Sequence, residues 1–154
     1  MIFRNPEAMS EVKFEASLWA RLQSLTDKDA WLGFKHDPNV SSDPAHPDFG
    51  LSFAHEGFFA VGLHPNASRP ARRFEANTII LNPHAQFRAL RANGRYERMR
   101  ETILARDATV AGGPNPMLAR HGTVSEARQY SGREVSDDWK CTFSRNEVND
   151  ARAA

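Results

Sequence analysis

"GFFAVGLHPNASRPARRFEANTIIL", Gly57–Leu81, decides the fold class. Both ends are apolar and suited to strands, and the middle is crowded with hydrogen-bond donors. Ala60–Leu63 is a continuous apolar run, as expected of a strand inside a sheet. At the other end, β-branched Thr78, Ile79 and Ile80 make Asn77–Leu81 the next strand. The connecting loop holds His64, two prolines and three arginines, Arg69, Arg72 and Arg73.

Working outward from this stretch, "GLSFA", "HE" and "GFFAVGL" predict a hairpin with Gly57 in the turn region. "MIF" at the start reads either as a short edge strand or as the end of a strand whose beginning is missing. Ser10 is a good N-cap, and Glu11 favours the helix dipole in the first turn. Phe14, Leu18, Leu22 and Leu25 then repeat at helical spacing, so Glu11–Leu25 is an amphipathic helix, with Trp19 beside the stripe. Phe34–Phe49 carries three prolines among Asp, Asn and Ser, which marks a loop. Asn82 is read as the cap of the next helix and Pro83 as its first residue. Phe87 and Leu90 give that helix an apolar edge, and Gly94 breaks it. Tyr96, Met99 and Ile103 share one face of a following helix, with Arg95, Arg98, Arg100 and Glu101 mostly outward. Regular structure ends near Ala111. Ser125 with Glu126 caps a short turn, and the tail at 144–154 is polar and expected to fray. Strands grouped ahead of helices indicate one α+β domain, with a small, mainly antiparallel sheet packed by helices and an irregular C-terminal segment.

The chain has 154 residues, a formal net charge of +1 and one cysteine, Cys141. That balance gives no global argument for nucleic acid, and one thiol forbids an internal disulfide. No apolar run approaches the roughly 20 residues of a membrane span, and the start lacks the apolar segment of a signal peptide. A cytoplasmic protein is expected.

Candidate chemistry begins with the arginines. Three in five residues repel one another unless an anion lies between them, and arginine's planar fork suits carboxylate or phosphate. A solvated turn whose arginines pair with surface acids is the competing reading. "RQYSGR" adds Arg128 and Arg133 around Tyr130 and Gly132. His64 ends a strand and His84 opens a helix, and neither has a close partner at metal-ligand spacing. His36, His46, His55 and His121 lie in loop-like surroundings. Cys141, between Trp139 and Phe143, is either a small buried hydrophobe or a thiolate that binds a soft or redox-active metal. No Walker loop, G-x-G-x-x-G or G-x-S-x-G is present.

"FEASLWARLQSL", "FFAVGLHPNASRPARRF", "ILNPHAQFRALRANGRYERMRETILARD", "NPMLARHG", "SEARQYSGR" and "DDWKCTF" run in order from Phe14 to Phe143. In this combination the chain resembles the YqcI/YcgG family, in the branch of the heme-dependent N-hydroxylase of guanitoxin biosynthesis. The resemblance implies an oxidoreductase, a monooxygenase acting on a guanidine nitrogen of an arginine-derived small molecule. It implies heme b as cofactor, with oxygen and an electron donor, and no nucleic acid or membrane as partner. On this reading Arg69, Arg72, Arg73 and Arg133 hold the propionates, with Tyr130 also in the cofactor site. Cys141 matches the cysteine of the family's W-x-C-P-F ending and is the expected iron ligand, with His64 and then His84 as alternatives. Glu126 recognises the substrate's guanidinium or caps a helix.

Two departures qualify the resemblance. Thr142 stands where the family has proline. Fuller members also carry an N-terminal region with a second cysteine, so an unpaired sheet edge here would favour homo-oligomers. The alternative function is a non-catalytic or truncated member that acts as a small-molecule or anion-binding module. A nucleic-acid binder using the arginines of Arg88–Arg106 is a third.

Overall fold

A computed structural model of the chain describes residues 1–3, 9–118 and 122–145. Four strands form one antiparallel sheet: β1 (Ile2–Phe3), β2 (Leu51–Phe53), β3 (Glu56–Leu63) and β4 (Asn77–Pro83). Their spatial order is β1-β4-β3-β2, so β3 and β4 are interior and the two short strands form the edges. Among the described residues three helices accompany the sheet: α1 (Glu11–Trp31), α2 (His84–Ala92) and α3 (Tyr96–Ala111). The expected α+β class is observed, and "MIF" supplies a short edge strand. Among the described residues no helix is long and apolar enough to cross a membrane.

Three local expectations need correction. First, α1 runs six residues past Leu25, because Thr26, Asp29 and Ala30 continue its buried face, and it stops before Gly33 at φ +84°. Second, the hairpin turns at Ala54 and His55, both at positive φ (49° and 69°), and Gly57 lies inside β3. The two-residue loop twists the way tight hairpins prefer, and the Asp29 carboxylate accepts the Ala54 N–H at 2.8 Å. Gly57 is small for a different reason: a Cβ there would lie 2.9 Å from an Asp37 carboxylate oxygen. Third, Asn82 and Pro83 finish β4 rather than opening a helix. Pro83 pairs with Phe58, and α2 begins at His84 with no side-chain cap. The strand ladder overrides the local capping signal.

Alternation along the strands gives the sheet two faces. Gly62 lies opposite Ile79, and a Cβ on Gly62 would strike Leu18 and Phe14 at 2.7 Å. The face with Ala60, Gly62 and Ile79 is therefore the one that α1 covers. Phe14, Leu18, Leu22, Phe49, Leu51 and Ile79 are fully buried there, and Trp19 stacks on buried Tyr130 at 5.5 Å between ring centres. Phe59 and Val61, one residue out of phase, point to the other face, toward α2 and α3.

Candidate functional site

The arginine-rich loop was expected to gather positive charge around an anion. Its guanidinium groups instead diverge, each to its own partner within the protein. Arg69 donates to the Asp107 carboxylate of α3 at 2.6 Å and to the Gly113 carbonyl at 3.1 Å. Arg73 turns back onto its own loop and donates to the carbonyls of Ala67 and Ser68. Arg72 reaches inward to the carbonyls of Gly62 at 3.2 Å, Gln129 at 3.1 Å and Tyr130 at 3.5 Å. Arg133 pairs with Glu15 of α1.

The role of Arg72 follows from the sheet edge. β2 pairs only with Glu56–Phe58 of β3, so Gly62 has no strand beside it on that side. The segment around Tyr130 fills the gap: the Gly62 N–H donates to the Tyr130 carbonyl at 2.7 Å. Arg72 then satisfies the carbonyls that this irregular pairing leaves open, as buried backbone groups require. Gly132, at φ +80°, gives it room, since a Cβ there would sit 3.0 Å from the Arg72 side chain. Burial lowers the Arg72 pKa to about 10, and nearby Asp107 opposes that shift.

A cavity of about 260 Å³ lies between the second face of the sheet and α2, α3 and the short 3₁₀ turn Glu126–Gln129. Phe59 of β3, Phe87 of α2 and the Tyr96–Met99–Ile103 face of α3 supply apolar walls. That helical stripe was legible in the sequence, but it borders open space rather than a filled core. Arg72, Arg91, Arg100, His84, Glu126 and Gln129 supply the polar lining. Arg91 also lies over the Tyr96 ring at 5.2 Å, and Arg100 donates to the Leu118 carbonyl at 3.2 Å. Arg91 and Gln129 were not singled out from the sequence, and Arg100, read there as mostly outward, lines the cavity instead. The available signal was the four-residue spacing that puts Arg100 on the same helical face as Tyr96.

Of the expected site residues, the structure brings Arg72, His84 and Glu126 to this cavity. His84 is buried at the start of α2, and Gly50 leaves it space: a Cβ there would be 3.0 Å from Nε2. His64 is on the α1 side, stacked on Phe14 at 4.3 Å, and burial lowers its pKa. Tyr130 is a core residue, and burial pushes its phenol well above the usual value. Cys141 packs against the same core, half-buried, while its neighbours Lys140 and Thr142 line a shallow groove beside α1. Burial pushes its thiol up to about 11, which disfavours the thiolate. Ser125 caps the turn, as its sequence indicated. Among the described residues no group of three or more His, Cys, Asp or Glu side chains could hold a metal ion. His121 and the tail beyond Arg145 lie outside the described residues.

Comparison with known proteins yields one family: the model of the YqcI/YcgG family matches residues 1–144. No curated protein and no solved structure matches the chain.

Proposed function

This chain belongs to the YqcI/YcgG family, and from that premise we propose that its cavity binds a small anion with an apolar body. One observation carries this reading. Arg72 lines the cavity while its hydrogen-bond partners are carbonyls alone, with no carboxylate among them. Asp107, the acid that counters its charge, is bonded to Arg69. A charge drawn out of water is costly unless it is paired, so an acid group entering the cavity gains a strong, charge-assisted partner. Arg91 and Arg100 add positive charge, against Glu126 as the sole acidic lining residue among the described residues. The volume falls just under the roughly 300–1,000 Å³ of typical ligand pockets, which suits a compact ligand.

The expected family chemistry gives a second reading at the same cavity: heme-dependent N-hydroxylation of a guanidine nitrogen. A clamp of Arg69, Arg72, Arg73 and Arg133 with Cys141 on iron does not fit these positions, because the guanidinium groups diverge and the thiol packs into the core. What favours a modified version is that His84, Arg72 and Glu126 line one cavity. His84 would then hold iron, Arg72 a propionate, and the Glu126 carboxylate a substrate guanidinium by two-point contact. A bound heme would supply the oxygen activation that the reaction needs, and at about 260 Å³ the cavity would have to open further to admit a macrocycle.

Titration separates the two. Short aliphatic and aromatic carboxylates, compared with their amides by calorimetry, should bind as acids only, and Arg91→Gln with Arg100→Gln should weaken them. Hemin titration followed in the Soret region should give a band lost in His84→Ala but kept in Cys141→Ala if the second reading holds. Equal affinity for acids and amides overturns the first reading. No Soret change on titration overturns the second.

A further inference from the structure

Three arginines in or beside α3 differ from those of the loop. Arg69, Arg72, Arg73, Arg128, Arg133 and Arg145 each donate to acceptors inside the protein. Arg95, Arg98 and Arg106 are exposed, and among the described residues no acceptor meets their guanidinium groups. These three rim a shallow groove along the end of α2 and α3, whose lining includes Leu90, Met99 and Ile103. Among the described residues no carboxylate lines it. Of the acids of α3, Glu97 and Glu101 are four residues apart and so share a different stripe of the helix, and Asp107 is bonded to Arg69.

We infer that this groove docks a protein that presents acidic side chains around an apolar centre. Charge alone would suit any polyanion. The apolar lining decides the class: Ile103 is 51% exposed, and Leu90 and Met99 are partly so. Covering such a strip gains about 25 cal/mol per Å², and a sugar–phosphate backbone has nothing apolar to place there. Protein interfaces combine an apolar centre with a polar rim in which arginine is enriched. The chain's net charge is only +1, so attraction is confined to this local patch and steers an oppositely charged face to it. Met99 and Ile103 also wall the cavity, so a docked partner would sit on the helix that encloses the ligand. The inference does not depend on which ligand that is.

The test uses the full chain and a short helical peptide with glutamates on one face and leucines on the other. Fluorescence anisotropy should show binding that weakens with added salt. It should fall about tenfold or more in Arg95→Glu/Arg98→Glu/Arg106→Glu, and also in Leu90→Ser/Ile103→Ser. Replacing the peptide's leucines by serine should cost as much. All the mutated side chains are partly or fully exposed, and circular dichroism checks that the variants fold. The inference is overturned if no peptide binds, or if the serine peptide binds equally well. Tighter binding of oligothymidylate, unaffected by Leu90→Ser/Ile103→Ser, also overturns it and assigns the groove to nucleic acid.

Discussion

The two faces of the sheet hold contrasting partners. On one, α1 brings Phe14, Leu18 and Leu22 to complete burial against Ile79 and Leu51. On the other, α2 and α3 each contribute one buried residue, His84 and Asp107, and both are polar. The first face is where burial of apolar area stabilises the domain. The second carries the Arg69–Asp107 ion pair between the loop and α3 and leaves a cavity beneath an apolar stripe. The apolar core and the cavity are therefore divided between the two sides of one sheet.

The largest effect that would sharpen this contrast is in the core. Leu18→Ala should lose about 3 kcal/mol in urea unfolding, the usual cost of an emptied leucine site. Met99→Ala, on the cavity side, should lose less than about 1 kcal/mol, because its neighbour is already open space. Equal losses would break the comparison.

Next comes the tie between the loop and α3. Both partners of the Arg69–Asp107 pair are mostly buried, with side-chain exposures of 17% and 9%. Asp107→Ala leaves a partly buried guanidinium without its acid and should cost about 2 kcal/mol. Amide exchange in Tyr96–Ala111 should speed up while α1 remains protected. Equal acceleration in both helices would mean that the faces unfold as one unit.

The smallest effect is a pH response. Burial lowers the pKa of His64, and Glu11 opposes it. Burial, then Arg145, lowers that of His36. Both folded values lie below the ordinary 6.5, so the unfolded chain takes up protons first as pH falls. Stability is complete above that value and is lost as pH falls through the folded values. The urea midpoint should therefore drop between about pH 7.5 and 5.5, before carboxylates titrate. An unchanged midpoint would remove the histidines from the balance.

Local pattern sufficed for the class, the order of the elements and the stripes of α1 and α3, because helical and strand periodicities are properties of neighbouring residues. The cap at Ser10, the end of α3 before Gly112 and the turn at Ser125 were legible for the same reason. The extension of β4 through Pro83 was not, since strand pairing with Phe58 outweighs a capping signal. Nor was the fate of the loop arginines. Three cations in five residues suggested a shared anion, yet each met a different acceptor: Asp107 from α3, carbonyls of Ala67 and Ser68, carbonyls of Gly62, Gln129 and Tyr130. A guanidinium binds whichever acceptor folding brings within about 3 Å, and Arg69 and Arg72 find acceptors on segments tens of residues away, at Asp107 and at Gln129. Periodicity therefore determines what each segment is, whereas only the packing of distant segments determines which charges are neutralised inside the protein and which are left facing a cavity or solvent.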